Sequence, residues 1–226
     1  MSRAALFFLL IIAPILALLL AWLGLLTIPT NLIGWFLLLV GVAYSGGILI
    51  AYAIRRDRLF DSRAGVNYTR EERGDRSFWF IALGMMAVFY LSPLDYLFLG
   101  TTLASTSLQE ITGFGLILLA IALFLWAHRT LGSGYTGHAS VKEAQPLVKT
   151  GPYQWIRHPA YLGYLLMSLG ITLGYWSMAG LVSILMLLLP SLVFRISVEE
   201  NMLAEHFGKE HRNYSNKTKR LIPGIW

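Results

Sequence analysis

The chain has 226 residues, of which 56% are hydrophobic and only 13% charged, far from the composition of a soluble globular domain. Its net charge of +6 and pI near 9.7 need no nucleic-acid partner, because the basic residues are distributed as a membrane topology would place them. Cysteine is absent, which excludes disulfides, thiolate nucleophiles and cysteine metal sites.

A helix needs about 20 apolar residues to cross a hydrocarbon layer about 30 Å thick, and six windows approach or exceed that length. The first, Leu6–Leu26, follows Arg3. It is longer than the apolar core of a secretory signal and no small-residue cleavage site follows it, so it reads as a span. The second, Ile33–Ile54, carries Gly41, Ser45, Gly46 and Gly47, small residues that let helices approach closely. A charge-rich loop, Arg55–Arg76, holds seven arginines and five acids and reads as solvated surface. Ser77–Leu94 is the third span, with Pro93 expected to end it before Asp95. Ile111–Ala127 is the fourth. Pro159–Trp176 and Met178–Phe194 follow, joined by so short a turn that they must form an antiparallel hairpin.

Lysine and arginine collect in cytoplasmic segments. All 18 lie at Arg3, in the Arg55–Arg76 and Arg129–Arg157 loops, or in the tail from Arg195. The connections near Ile28–Asn31, Gly100–Gln109 and Tyr175–Ser177 have none. Both termini are therefore expected in the cytoplasm, and the positive charge faces anionic lipid. The expected fold is all-α and polytopic, with about six transmembrane helices, a C-terminal helix hairpin and a cytosolic amphipathic tail helix. In that tail Leu203 and Phe207 share a face and Gly208 is a terminator. Residues 1–127 are read as scaffold and 128–226 as the functional core. No internal repeat suggests a transporter.

The hairpin brings the stretch "LVKTGPYQWIRHPAYLG", Leu147–Gly163, beside the tail that begins Arg195-Ile196-Ser197-Val198-Glu199-Glu200. Gly151-Pro152-Tyr153 marks a turn. His158-Pro159 is a helix start, since proline is favoured at the first helical position. Tyr161 and Tyr164 follow His158 on one face. Arg157 at a span entrance can snorkel to headgroups. Two adjacent carboxylates at the inner end of a span instead demand cations: Arg195, Arg157 or a cationic ligand. S-adenosylmethionine has the matching chemistry, with a sulfonium, a ribose, an adenine face and a carboxylate for an arginine fork.

"LVKTGPYQWIRHPAYLGYLL" followed by "RISVEENMLAEHFGKEHRNYSNKTKRLIPGIW" resembles the isoprenylcysteine carboxyl methyltransferase family, whose C-terminal half reads LVxxGPYxxxRHPxYxG, then EExxLxxxFGxxYxxY and a closing R-x-x-P. With "LGSGYTGHASVKEAQ" upstream, the resemblance covers about Leu131 to the end. It implies a membrane methyltransferase that uses S-adenosylmethionine. Its cofactor would lie among Gln145, Leu147, Val148, Gly151, Tyr153, His158, Tyr161 and Glu200, and Arg157 would be near the acceptor. Two residues depart from the pattern: Gln145 stands where the family commonly has histidine, and His211 where it often has the first tyrosine of YxxY. Gln145 can still donate a hydrogen bond to adenine or ribose.

Methyl transfer from a sulfonium needs alignment and exclusion of water, and no metal. A carboxylate acceptor needs no base; Arg157 would orient it. An amine or thiol acceptor would need one, with Glu199, Glu200 or His158 as candidates. The implied acceptor is lipophilic, an isoprenylcysteine-like carboxylate entering from the bilayer. A phospholipid N-methyltransferase is the nearest alternative, followed by an NADPH-dependent membrane reductase and by a non-catalytic membrane protein or transporter.

Overall fold

The computed structural model describes residues 12–59, 77–98, 107–132, 147–222, 224 and 226, with side chains from 47 to 59 and at Ser77, Phe78 and Ser107 left aside. The described residues form helices α1 (Ala13–Thr27), α2 (Ile33–Leu59), α3 (Ser77–Phe98) and α4 (Ser107–Leu131). A short 3₁₀ turn, Gly151–Gln154, and α5 (Pro159–Gly174) follow. The long α6 (Met178–Phe207) and the short α7 (Lys209–Ser215) complete the chain. There is no strand among the described residues, only one isolated bridge between Ile156 and Lys219.

Helix is the form these sequences must take in a bilayer, where every backbone polar group needs a partner within its own segment. Segments within α3, α4 and α6, namely Trp79–Phe98, Leu108–Leu131 and Met178–Phe207, are long and apolar enough to cross a membrane, and three shorter apolar helices accompany them. Large apolar side chains such as Leu39, Leu83, Leu118 and Met186 are exposed, as on a lipid-facing surface. The chain is thus an all-helical membrane protein. The expected first span begins before the described residues, and the Arg55–Arg76 loop and the tip of the 98–107 connection lie largely outside them.

The helices pair closely. In α4 and α5 a Cβ added at Gly113 would sit 2.5 Å from the Gly170 carbonyl oxygen, and one at Gly170 2.6 Å from that of Gly113, so any larger residue forces these helices apart. Gly41 of α2 meets Ala17 and Ala21 of α1 equally tightly, whereas a Cβ added at Gly46 would meet none of the described residues within 4 Å. The small-residue reading of α2 therefore holds for Gly41. A core cluster including Ile33, Leu37, Val88, Ile117, Ile171, Leu188 and Leu192 fills the centre.

Pro93 does not end its span. The helix continues to Phe98 with Pro93 inside. Tertiary contacts hold this last turn: Asp95 Oδ2 accepts from Ser177 Oγ at 2.6 Å and from the Ala179 amide at 3.0 Å, and Tyr96 packs against Tyr175 with ring centroids 5.3 Å apart. Neighbouring helices thus offset the hydrogen bond that proline removes. The turn between α5 and α6 is as short as expected. Ser177 donates its amide to the Thr172 carbonyl at 2.9 Å, Trp176 adopts a left-handed φ of 51°, and Ser177 Oγ caps α6 by accepting from the Gly180 amide at 2.9 Å.

Inside α6, residues Ile184–Leu188 widen into a π-helical turn. Pro190 follows two residues later. It has no amide hydrogen, and its ring crowds the carbonyl four residues back, which favours such an opening. Gly84 of α3 packs here, where a Cβ would lie 2.8 Å from Leu188 Cα. Helix α6 then runs unbroken past Phe194 to Phe207, so the expected tail helix is the continuation of the last span. It stops at Gly208, whose φ is 51° and whose amide bonds the Ala204 carbonyl at 3.0 Å.

Candidate active site

The open end of the α5–α6 hairpin, opposite the Tyr175–Ser177 turn and called its inner end for its place in the hairpin, is assembled by three segments. Gly151, with φ 58°, opens the 3₁₀ turn; a Cβ there would lie 2.6 Å from Thr130 Oγ1 at the end of α4, so only glycine lets the loop lie against that helix. Tyr153 is buried, and its carbonyl accepts from Tyr214 of α7 at 2.6 Å. The chain then pairs with the C-terminal segment: the Arg157 amide bonds the Lys219 carbonyl at 2.8 Å, the His158 amide that of Arg220 at 3.0 Å, and the Lys219 amide that of Trp155 at 3.1 Å. Lys149 and Glu210 form a 2.6 Å ion pair nearby.

Within this frame lies a buried lattice of charge. Glu200 Oε1 accepts from Arg157 Nε at 2.8 Å and approaches His158 Nε2 at 2.9 Å. Glu199 Oε2 lies 3.3 Å from the other ring nitrogen of His158. Glu199 Oε1 accepts from Tyr161 Oη at 2.5 Å and from Arg195 Nε at 2.8 Å, and Arg195 Nε also reaches Tyr161 Oη at 3.0 Å. The rings of His158 and Tyr161 stack 5.7 Å apart, inclined by 13°. His158 is thus held between two carboxylates. Burial alone would push its imidazole down, but hydrogen bonds and charge from Glu199 and Glu200 outweigh that and raise it above its ordinary value.

Arg157 is more constrained than a snorkelling arginine. Besides Glu200, its Nη1 donates to the carbonyls of Ser215 at 3.1 Å and Thr218 at 2.5 Å and approaches Thr218 Oγ1 at 3.3 Å. Two of its three nitrogens are therefore occupied by the protein.

The structure brings Arg157, His158, Tyr161, Glu199 and Glu200 into one cluster. Gly151 and Tyr153 stand beside it through the turn and the Tyr214 bond. Leu147 and Val148 are half-buried just before that turn. Gln145 lies outside the described residues. Sequence reasoning gave Arg195 only as a possible partner of the carboxylates; its four-residue spacing from Glu199 was the available signal. Tyr214 had its signal in the second tyrosine of the YxxY pattern, whereas Thr218 and the depth of His211 had no local signature. Burial holds the His211 imidazole below its ordinary value despite the nearby Glu200, and burial pushes the Tyr214 hydroxyl up to about 12.

Residues 108–210 match the family described as phospholipid methyltransferase. The chain is 34% identical over 123 residues to the protein-S-isoprenylcysteine O-methyltransferase of Saccharomyces cerevisiae, covering 54% of this chain and 52% of that protein. It is 27% identical over 119 residues to protein-S-isoprenylcysteine O-methyltransferase B of Arabidopsis thaliana, covering 51% and 60%. The chain thus spans about half to three-fifths of these relatives. A solved eukaryotic intramembrane Ras methyltransferase, isoprenylcysteine carboxyl methyltransferase, shares the fold with a TM-score of 0.54 at 23% identity, over 92% of this chain and 73% of that one. The resemblance read from the RHPAYLG and EE motifs is borne out.

Proposed function

We propose that this chain is an integral membrane methyltransferase that uses S-adenosylmethionine and acts on the carboxylate of a lipophilic, isoprenylcysteine-like acceptor. The observation that carries the reading is the cluster at the hairpin mouth, where two adjacent carboxylates are held by arginines and a doubly hydrogen-bonded histidine. Its chemistry fits the cofactor. Glu200 offers a carboxylate oxygen to a ribose hydroxyl or an ammonium, and a buried ring nitrogen of His211 beside it has no hydrogen-bond partner. Leu147, Val148, Gly151 and Tyr153, with Gln145, would wall the adenosyl portion, and Tyr161 would complete the aromatic side. When bound, the sulfonium supplies a methyl group already activated for displacement.

The protein's own task is then orientation and exclusion of water. Arg157 Nε and Nη1 fix Glu200 to the tail, and Nη2 remains to direct an acceptor carboxylate. Arg195 and Tyr161 fix Glu199. Residues 1–127 act as scaffold and 128–226 as the catalytic core, with both termini and the site on the cytoplasmic side. The acceptor enters from the bilayer.

Charge and hydrogen bonding support a carboxylate acceptor. Arg157 and Arg195 pair with Glu200 and Glu199, and the Nη2 of Arg157 suits an acceptor carboxylate. A histidine with both nitrogens facing carboxylates has no lone pair with which to deprotonate an amine, and a carboxylate acceptor needs no base. The phospholipid N-methyltransferase alternative is favoured by one finding, the description of the family that residues 108–210 match.

The test is transfer of labelled methyl from S-adenosylmethionine in detergent, offered a farnesylated cysteine or phosphatidylethanolamine. Label in the prenyl cysteine as a base-labile ester is the expected result. Label only in the amine headgroup would select the alternative. Binding of NADPH in place of S-adenosylhomocysteine would reject both.

A further inference from the structure

The two oxygens of Glu200 are unlike. Oε1 receives Arg157 Nε and His158 Nε2 at 2.8 and 2.9 Å. Oε2 has the longer arm of the Arg157 contact, 3.1 Å, and beyond it Arg220 Nε at 3.8 Å and His211 Nε2 at 3.9 Å. Those two separations are too long for hydrogen bonds. His211 is only 4% exposed, and its Nε2 is buried without a hydrogen-bond partner. Buried polar atoms are rarely left so.

The ring cannot swing away to find water, because α7 is tied down on either side. Tyr214 bonds the Tyr153 carbonyl at 2.6 Å, Glu210 pairs with Lys149 at 2.6 Å, and Thr218 Oγ1 bonds the Tyr214 carbonyl at 2.9 Å. A fixed acceptor and a fixed ring nitrogen 3.9 Å apart can both be satisfied by one further polar atom within hydrogen-bond reach of each. With the ring proton on Nε2, the atom must donate to a carboxylate and accept from an N–H, and a hydroxyl does both.

We propose that Glu200 Oε2 and His211 Nε2 form a two-point subsite for a ligand hydroxyl, which donates to Glu200 and accepts from the Nε2–H of His211. Within the cofactor reading, on which this inference rests, the hydroxyl is one of the pair on the ribose. His211 is then a specificity-determining residue that distinguishes a ribose from a deoxyribose. It reads the ligand directly, whereas Arg157 acts on it through Glu200.

Calorimetry on the full chain in detergent, with S-adenosylhomocysteine and its 2′-deoxy and 3′-deoxy analogues, tests this. The unsubstituted protein is expected to bind one deoxy analogue about 100-fold more weakly than the parent, the loss of both hydrogen bonds of the hydroxyl, one of them to a charged group. His211→Phe, which removes only one of the two, should weaken the parent about tenfold and leave that analogue unchanged, and His211→Gln, which keeps a hydrogen-bonding group, should recover most of the loss. Equal affinity of the unsubstituted protein for the parent and both analogues overturns the subsite, whether or not His211→Phe folds. So does a His211→Phe variant that loses affinity equally for all three, the result of a merely structural role. No binding of S-adenosylhomocysteine by the unsubstituted protein overturns the cofactor reading and this inference with it, whereas parent binding unchanged by His211→Phe overturns this inference alone.

Discussion

The two ends of the α5–α6 hairpin both bury polar side chains, yet they do so in different ways. At the outer end Asn31 Nδ2 donates to the Gly174 carbonyl at 2.8 Å, its Oδ1 accepts from the Ile33 amide at 2.9 Å, Thr27 and Tyr175 hydroxyls meet at 2.8 Å, and Asp95 caps the start of α6. These bonds run mostly to backbone or between neutral groups, and they join α1, α3, α5 and α6. At the inner end the partners are charged, and a buried nitrogen of His211 is left over. Two hydroxyls at the outer end, Ser92 Oγ and Thr172 Oγ1, are also left without a hydrogen-bond partner among the described residues, so the ends differ in charge rather than in satisfaction, and the outer one reads as a fastening. A charged cluster describes a place where something else binds.

The sharpest way to break this comparison is Glu200→Ala. It leaves Arg157 and His158 facing one another with no carboxylate between them, and unpairing a buried charge destabilises by about 3–5 kcal/mol. S-Adenosylhomocysteine affinity should fall on the order of 100-fold, read by calorimetry; unchanged affinity would remove Glu200 from the site. Arg157→Lys comes next. Lysine keeps the charge but loses the planar fork, so turnover on a prenyl cysteine should drop about 100-fold. Cofactor affinity should fall by about tenfold, because Glu200 loses one of its two anchors. Near-normal turnover would leave Arg157 only the structural task of tying Glu200 to the tail.

A pH series sharpens the charged end. The folded state raises the affinity of His158 for its proton, so the stability it contributes is fully present below its unfolded value of about 6.5. That contribution fades as pH rises through the higher folded value. The melting temperature advantage over His158→Asn should therefore be largest near pH 6 and shrink in alkaline buffer. A difference that grows with pH would mean that His158 is held neutral. The smallest effect is expected at the other end. Asp95→Ala removes bonds to Ser177 and the Ala179 amide, worth about 1–3 kcal/mol, and should lower the melting temperature by roughly 2–12 °C. S-Adenosylhomocysteine affinity should stay as it was. A large loss of affinity would show that the outer fastening and the inner site are coupled.

Much of this architecture was legible in the chain. Apolar run lengths located the helices, the short Tyr175–Ser177 turn dictated a hairpin, and the hairpin required His158 and Glu200 to be neighbours. Gly208 marked a stop because the chain there needs a positive φ. What escaped was set by contacts distant in sequence. Pro93 looked like an end because the contacts of Asp95 and Tyr96 with the outer turn cannot be seen locally. Arg157 looked available because the carbonyls of Ser215 and Thr218 that hold it belong to a segment some 60 residues away, joined by backbone pairing with no side-chain pattern. The π-helical turn in α6 had a hint in Pro190, but hydropathy does not respond to it.

That turn has a geometric effect on everything beyond it. A π turn amounts to one residue inserted into an α-helix, and each residue of such a helix advances about 100° around its axis. Helix α6 therefore has two phases. Gly180 and Ser183 are set by the outer one and face α3 and α5 there. Arg195, Glu199 and Glu200 are set by the inner one, turned by about a quarter of a revolution from where a straight helix would carry them. One continuous rod thus presents its packing face to the scaffold at one end and its ionic face to α5 at the other. The angle between those faces is built into five apolar residues, Ile184–Leu188, that bear no charge themselves.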